Sequence, residues 1–414
     1  MDVMVSRQPI VDRNLAVAAY ELLFHASRLT DHFAELDDTT AATRLITDAL
    51  LTLGIDQITD GHPAIIAVSE ALLLGPEVEA LPSSVAVALP ADVPPTAEVL
   101  IACAALKDRG NQLVLMDYGV GPQRRAFLPL ADLAVLDIAS LPQPQRRQLV
   151  ALLAGQGVGV IARGVETRAA YEAALAAGCS YFQGYFFSRP SLISGGEIAS
   201  SKLSALQLLK AAHRPDLDFD ELERLILRDP AIAWKFLAYL NSVEFSWRRR
   251  IESVRHGLVM LGERATRTWV SLVTVSAMVG PTSPELSRLA ITRGRFCELL
   301  GAAARTDATA LDLFMTGTFS LVDGLLDRPL PVAVAQVPLS AEAKAAILGE
   351  VNAPGRVLRA VTAYERGHWE QLFTIAQQLG VDGAEVNRCY MAAVEWADGL
   401  LDDTRTKPAE SALA

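Results

Sequence analysis

The sequence has few cysteines, and none is placed for metal binding. The four cysteines lie far apart, with no CxxC pair and no histidine at the spacing of a zinc finger. We therefore expect buried, reduced thiols at Cys103, Cys179, Cys297 and Cys389.

Long apolar runs and an excess of positive charge are also missing. No run reaches the roughly 18 to 20 residues that span a bilayer, and charges occur within the first dozen residues. With 37 basic and 48 acidic residues, the formal charge of -11 repels a polyanion unless cations are locally concentrated. We expect a cytoplasmic protein with no membrane span and no nucleic-acid partner.

The sequence is rich in apolar residues. The chain has 414 residues, of which 51% are hydrophobic and 21% charged. A chain of this length usually divides into two or three domains. The composition predicts folded cores, and we take two domains as the expected number.

The first half alternates short β-rich runs with amphipathic stretches, which is typical of parallel strands joined by crossover helices. The predicted strands are 3–11, 16–24, 64–68, 84–88, 112–116, 133–137, 157–162 and 180–184. The predicted helices are 39–53, 95–109, 144–155 and 167–178. This number of units within about 190 residues favours a closed barrel.

The pattern changes after Pro190. The stretch SLISGGEIASS at 191–201 is small and polar, and beyond it apolar residues recur at helical spacing, as in Leu203, Leu206 and Leu209. We predict an α/β barrel at 1–195, an all-α domain at 196–402 and a flexible tail at 403–414.

Five strings in the first half occur in an order that resembles the EAL family. They are YELLFH at 20–25, LVLMDYGVG at 113–121, LAVLDI at 133–138, IARGVET at 161–167 and FQGYFFSRP at 182–190. The resemblance implies a modified TIM-type barrel with an antiparallel first strand. Active members are metal-dependent phosphodiesterases that cleave cyclic di-GMP.

The second half resembles the HDOD domain, an all-helical relative of the metal-dependent HD phosphohydrolases. The resemblance lies chiefly in residues 228–270, and AYERGHWE at 363–370 falls in a C-terminal extension. The order of the two domains is similar to a two-domain architecture of bacterial signal transduction.

The resemblance sorts the EAL positions into retained and substituted ones. The retained, remnant positions are Glu21, Asp117, Glu166 and Gln183. The substituted positions are His25, Ala67, Ala88, Met116, Val135 and Arg163. Four of the latter, Ala67, Ala88, Met116 and Val135, also fit a purely structural role in closing the barrel.

These substitutions remove groups that two-metal hydrolysis of a phosphodiester needs, because that chemistry requires clustered carboxylates. Alanine cannot coordinate a cation, a thioether is a poor ligand for hard cations, and the Arg163 guanidinium repels them. We therefore predict no catalytic residues, no metal and no cofactor in the barrel. Arg163 either fills the vacated site or points to solvent.

The helical half lacks the ligands of an HD phosphohydrolase. The chain contains no His-Asp dipeptide, and LFMTGTFSLVDGLLD at 313–327 contains none of its six histidines. Asp323 alone does not make a metal site, so we predict no metal there either.

One segment of the helical half is basic and aromatic. Within SWRRRIESVRHGLVMLGERATRTW we single out an interaction patch of Trp247, Arg248, Arg249, Arg250 and Arg255. The segment fits a solvated turn whose arginines pair with acidic surface, a protein contact, or a grip on a phosphate backbone.

We predict a non-catalytic signalling adaptor that docks to other signalling proteins and can form a homodimer. The alternative is a cyclic di-GMP receptor that binds without hydrolysis through Glu21, Asp117, Gln183 and Arg189. The third hypothesis is an active phosphodiesterase.

Overall fold

The computed structural model divides the chain into two units. It describes residues 3–26, 55–119, 122–184, 200–240, 251, 253–279, 284–326 and 328–403. The first unit combines residues 1–189 with 362–388, and the second combines 190–361 with 389–414.

The first unit contains a closed barrel of eight strands in sequence order. β1 is antiparallel to both of its neighbours, and the remaining neighbours are parallel. The strands are β1 Val3–Val11, β2 Val17–Ala26, β3 Ala64–Ala67, β4 Val85–Leu89, β5 Leu113–Leu115, β6 Leu133–Asp137, β7 Gly159–Arg163 and β8 Tyr181–Gln183. The predicted barrel is confirmed, and so is its antiparallel first strand.

The turn between β1 and β2 follows from local hydrogen bonding. The Asp12 carboxylate accepts the backbone N–H groups of Asn14 and Ala16 at 2.8 and 2.9 Å. Asp and Asn favour such turns because their short side chains satisfy nearby backbone groups.

Helices connect the parallel strands. They are α1 Ile55–Thr59, α2 Glu70–Leu74, α3 Ala97–Asp108, α4 Gln143–Gly155 and α5 Arg168–Ala177. Thr96 and Thr167 cap α3 and α5, and Gly178 ends α5 in the left-handed conformation. The last three helices agree with predicted ones, whereas the predicted helix at 39–53 lies outside the described residues.

Inward-facing side chains fill the barrel with an apolar layer. It consists of Ile10, Ala19, Ile65, Ala86, Ala88, Val114, Val135 and Ile161, with Met116, Leu133 and Tyr181 packed against it. Because side chains alternate along a strand, the residue two positions further along also points inward. Glu21, Arg163 and Gln183 each stand two residues after a member of this group, which places them above an apolar floor.

The described part of the second unit is helical, as predicted. Its helices include α6 Ser200–Ala212, α7 Phe219–Leu227, α8 Pro230–Leu240, α9 Val254–Val279, α10 Pro284–Ala303, α11 Ala310–Phe319, α12 Val322–Leu326, α13 Leu330–Gln336, α14 Ala341–Ile347 and α15 Ala353–Glu365. The backbone of α9 is kinked at Gly262, which is not helical. Two more helices follow along the chain: α16 Trp369–Leu379 belongs to the first unit, and α17 Gly383–Asp403 begins there and continues into the second.

The C-terminal segment Thr362–Arg388 groups with the barrel, although the sequence prediction assigned it to the helical domain. The cause is tertiary contact with β1. The Tyr364 hydroxyl lies 2.9 Å from the Val5 carbonyl oxygen, and the Val5 N–H donates to the Asn387 side-chain oxygen at 3.2 Å. The predicted boundary at 195/196 and the tail beyond Asp403 lie outside the described residues and stay predictions.

All four cysteines are buried and none forms a disulfide, as predicted. Burial raises the pKa of the Cys103 and Cys179 thiols to about 11. Over the part of the chain that the structure describes, no helix combines the length and apolarity needed to cross a membrane.

Candidate functional site

The barrel mouth brings together four residues that the sequence singled out. Glu21 stands in β2, Arg163 and Gln183 end β7 and β8, and Asp117 follows β5. Glu21 and Gln183 are buried, Arg163 is partly buried and Asp117 is exposed. Three retained positions and one substituted position therefore form a single cluster.

The Arg163 guanidinium is the centre of this cluster, and each of its three nitrogen atoms donates a hydrogen bond. One Nη donates to Asp117 at 3.0 Å and the other to Glu21 at 3.2 Å. Nε donates to the Gln183 side-chain oxygen at 3.3 Å. Arg163 thus points into the mouth and carries a fixed positive charge between the two carboxylates.

Gln183 and Gln8 complete the network around Glu21. The Gln183 amide donates to the second Glu21 oxygen, so both oxygens of this buried carboxylate accept a hydrogen bond. The same amide lies 3.4 Å from the Gln8 side-chain oxygen. Gln8 pairs with Glu21 across β1 and β2, and the sequence analysis did not identify it.

Asp117 reaches Arg163 from a turn. Its φ of 46° is left-handed, a conformation that Asp tolerates better than most residues because its short side chain bonds locally.

A second arginine at the mouth was missed by sequence reasoning. Arg124 donates to the carbonyl oxygens of Met116 at 2.5 Å and Leu89 at 2.9 Å. Burial lowers its pKa, while the charge of Asp117 opposes that shift. The Arg124-Arg125 pair that follows the DYGVG string was the available signal.

The described side chains of Ala67, Ala88, Met116 and Val135 take no part in the polar network. Ala88 and Val135 are fully buried in the barrel interior, and Met116 packs on the same layer. Ala67 ends β3 and is exposed. His25 lies in β2, but its side chain is outside the described part of the structure.

Glu166 and Arg189 are the two remaining candidates, and only Glu166 lies within the described residues. Glu166 is partly buried in the loop after β7, and it has a partner within the structure. Arg189, proposed as a nucleotide contact, lies outside the described residues.

The residues of the mouth do not fit a pair of divalent cations. Across the described ranges, no three His, Cys, Asp or Glu side chains are grouped closely enough to hold a metal ion. Ca²⁺ and Mg²⁺ prefer six or more oxygen ligands, whereas Glu21 and Asp117 share a guanidinium instead.

The basic segment of the helical unit is only partly described. Trp247, Arg248, Arg249 and Arg250 lie outside the described residues. Arg255 pairs with Asp220 at 2.5 Å and Arg264 with Glu298 at 2.8 Å. Trp269 is buried and packs edge-on against Phe236. The described arginines thus neutralise acidic residues of the same unit.

Comparison with known proteins agrees with this organisation. A family model for the EAL domain matches residues 5–190, and one for the HDOD domain matches residues 199–320. A Bacillus subtilis protein named Uncharacterized protein YuxH is 29% identical over 411 residues, covering 97% of this chain and 100% of its own length. The Vibrio cholerae protein named Cyclic di-GMP phosphodiesterase CdgJ is 29% identical over 399 residues, covering 96% of this chain and 92% of its own.

Solved EAL structures resemble the barrel half. The EAL domain of Mycobacterium smegmatis DcpA is 23% identical, with a TM-score of 0.34, and the match covers 44% of this chain and 90% of that one. The PaMucR phosphodiesterase in complex with c-di-GMP is 20% identical, with a TM-score of 0.38, and the match covers 46% and 97%. The chain is therefore a two-domain signalling protein in which an EAL domain precedes an HDOD domain.

Proposed function

We propose that this protein is a cytoplasmic signal-transduction adaptor that docks to other signalling proteins and does not hydrolyse cyclic di-GMP. The observation that supports this proposal best is the bridging of Glu21 and Asp117 by the Arg163 guanidinium. Under the proposal, a fixed internal cation takes the place of exchangeable divalent cations, and the barrel needs no resident cofactor.

Electrostatics explain why the bridge opposes metal binding. The guanidinium nitrogen atoms lie 3.2 Å from Glu21 and 3.0 Å from Asp117, so a divalent cation on either carboxylate would stand close to a positive charge. At about 4 Å and an effective dielectric constant of about 20, that repulsion is about 8 kcal/mol. Removal of Arg163 from the cluster would in turn leave the buried Glu21 without its counter-ion.

Cyclic di-GMP binding without hydrolysis is the second candidate, and Arg124 is the observation that favours it. Its Nε is buried and has no hydrogen-bond partner in the described structure, so the hydrogen-bonding capacity of this guanidinium is not fully used. Arg163 is a weaker candidate for binding a phosphate, because the phosphate would have to displace two carboxylates from its guanidinium. The name of the Vibrio relative and the PaMucR complex with c-di-GMP make this nucleotide the one to test.

The decisive experiment is isothermal titration of the full chain with cyclic di-GMP, first with Mn²⁺ and then with chelator, followed by chromatography of the mixture. An active EAL phosphodiesterase serves as the positive control. We expect neither heat nor product. Heat without product would support the receptor, and a linear dinucleotide product would refute the absence of hydrolysis.

Two conservative variants test the same proposal in cells. Glu21→Gln and Asp117→Asn remove the retained carboxylates with little change in shape. An adaptor should keep its cellular effect in both variants at equal protein level. Loss of that effect would contradict the proposal.

A further inference from the structure

Helix α3 is apolar on its outer face as well as its inner face. Eight consecutive apolar residues, VLIACAAL at 99–106, separate Glu98 from Lys107. Eight residues exceed two helical turns, so they cover every side of the helix. Val99, Cys103 and Leu106 are buried, whereas Ile101 is 69% exposed.

The exposed residues form a stripe along the helix. Ala97, Ile101 and Ala105 are all exposed and follow one another at intervals of four, which places them on one face. We call these three residues the α3 stripe. Helix α2 packs against α3, and its Leu74 is also exposed, at 43%. Isolated exposed apolar residues are common, but a helix usually turns polar residues toward solvent.

The two charged residues on the same helix face as the stripe are both acidic. Glu98 and Asp108 lie on the same exposed face, and the chain has no lysine or arginine between Arg44 and Lys107. The two nearest cations in sequence are already engaged. Lys107 pairs with Asp132 at 2.5 Å, and Arg109 donates to the carbonyl oxygens of Val78, Glu79 and Leu81.

We infer that the α3 stripe is a docking surface for a cationic amphipathic helix of a partner protein. The apolar side of such a helix would cover Ile101 and its neighbours, and flanking lysines or arginines would meet Glu98 and Asp108. A second copy of this chain fits less well. A two-fold interface through the stripe would bring acidic residues against their own copies.

This inference gives a partner chemistry to the docking role proposed above and rests on that role. Experiments can nevertheless refute the docking inference and the proposed function independently of each other. The stripe lies on a helix that joins two strands, whereas hydrolysis concerns the barrel mouth. Product formation from cyclic di-GMP would overturn the non-catalytic proposal without affecting peptide binding to the stripe.

The first test uses the full chain with Ile101→Cys, labelled with a polarity-sensitive fluorophore. Labelling is selective because all four native cysteines are buried. The probe is a synthetic peptide of about 18 residues with leucine and lysine at helical spacing. Its controls are a scrambled peptide of the same composition and a leucine–glutamate version. We expect a saturable, salt-sensitive signal from the cationic helix alone.

The second test uses unlabelled variants and isothermal titration with the same peptide. Ile101→Glu should weaken binding by at least about tenfold, the equivalent of about 1.4 kcal/mol. The matched control is Leu227→Glu, which alters another exposed aliphatic residue, 56% exposed, on α7 of the other unit. It should change the affinity by no more than about twofold.

Several results would overturn the inference. A thiol at position 101 that resists labelling would show that the stripe is covered. Equal binding of the scrambled peptide, or equal weakening by Leu227→Glu, would show nonspecific attraction to an acidic protein. Sedimentation that shows a dimer of the wild type dissociated by Ile101→Glu would assign the stripe to a second copy instead.

Discussion

Arg163 controls the charge balance of the barrel mouth with a single side chain. Glu21 is only 7% exposed, and a carboxylate at that depth needs a counter-ion or protonation. The guanidinium supplies the counter-ion and also orients Gln183 and Asp117. The same residue therefore stabilises the site and, under the proposed function, opposes metal binding.

A double-mutant cycle tests this coupling. Arg163→Met should lower the free energy of unfolding by about 2–4 kcal/mol, because it leaves the Glu21 carboxylate buried without its cation. Glu21→Gln alone should cost about 1–2 kcal/mol. The double variant should lose clearly less than the sum, as measured by urea unfolding of the full chain. Additive losses would mean that the two residues do not interact.

His213 makes the stability of the helical unit depend on pH. Burial lowers its pKa from 6.5 to about 4, and the charge of Arg267 acts in the same direction. Its Nδ1 lies 3.0 Å from the Leu209 carbonyl oxygen, while Nε2 is buried with no partner among the described residues. The unfolded chain therefore binds a proton that the folded chain excludes between those two pH values.

From this difference we predict that the free energy of unfolding falls as the pH drops from about 6.5 to 4. Above about pH 7, His213 should make no contribution to the pH dependence. The loss should reach about 3 kcal/mol at pH 4. His213→Gln should flatten that part of the curve, measured by urea unfolding at a series of pH values. His256→Gln, which alters an exposed histidine, is the control and should leave the curve unchanged. An identical slope in His213→Gln would contradict the prediction.

Helices α10 and α11 cross so closely that glycine is required at the contact. A Cβ atom on Gly317 would lie 2.5 Å from the Arg293 carbonyl oxygen and 2.8 Å from the Gly294 Cα. Both neighbours are backbone atoms, so the helices themselves would have to separate. The crossing is thus determined by residues without side chains on both elements.

Gly317→Ala should therefore destabilise the helical unit by about 2–4 kcal/mol, as expected for overpacking against backbone. Gly399→Ala is the matched control, because it makes the same change inside helix α17 with nothing within 4 Å of the new Cβ. The control should be neutral or stabilising by up to about 1 kcal/mol. Thermal unfolding measures both, and equal changes would show that the crossing tolerates a methyl group.

The chain as a whole folds so that its C-terminal segment supports its N-terminal strand. In the described structure β8 pairs with β1 only at Ile10 and Val11. Asn387 and Tyr364 contact the backbone N–H and carbonyl oxygen of Val5, further along the same edge. Covering an open edge satisfies backbone groups that would otherwise attract another chain.

Asn387→Ala should therefore destabilise strand β1, although the two lie several hundred residues apart in sequence. It removes the acceptor of the Val5 N–H, so amide exchange in β1 should speed up by about tenfold or more. Asn352→Ala is the control, since Asn352 bonds Glu342 and Gly355 within the helical unit. Mass-spectrometric hydrogen exchange that finds β1 equally protected in both variants would contradict a supporting role for the segment.

The sequence predicted most of the architecture because the signals were local. Alternation of apolar runs and helical spacing gave every described strand to within two residues of its bounds. The errors have local causes: the strand predicted from Gly157 begins at Gly159, because Gly157 adopts a positive φ in the turn after α4. The sequence also grouped Glu21, Asp117 and Gln183 as retained positions, through their place in family motifs.

By itself, the sequence determined the order of the domains and the barrel topology, because these depend on residue type and periodicity. The family resemblance added the prediction that ligand types are lost at Ala67, Ala88 and Met116. Only the tertiary structure decided that Arg163 points inward onto Glu21 and Asp117, that Arg124 caps two strand ends, and that residues 362–388 join the barrel. Each depends on contacts between residues distant in sequence, and a side chain's direction and partners are set by packing that no local pattern encodes.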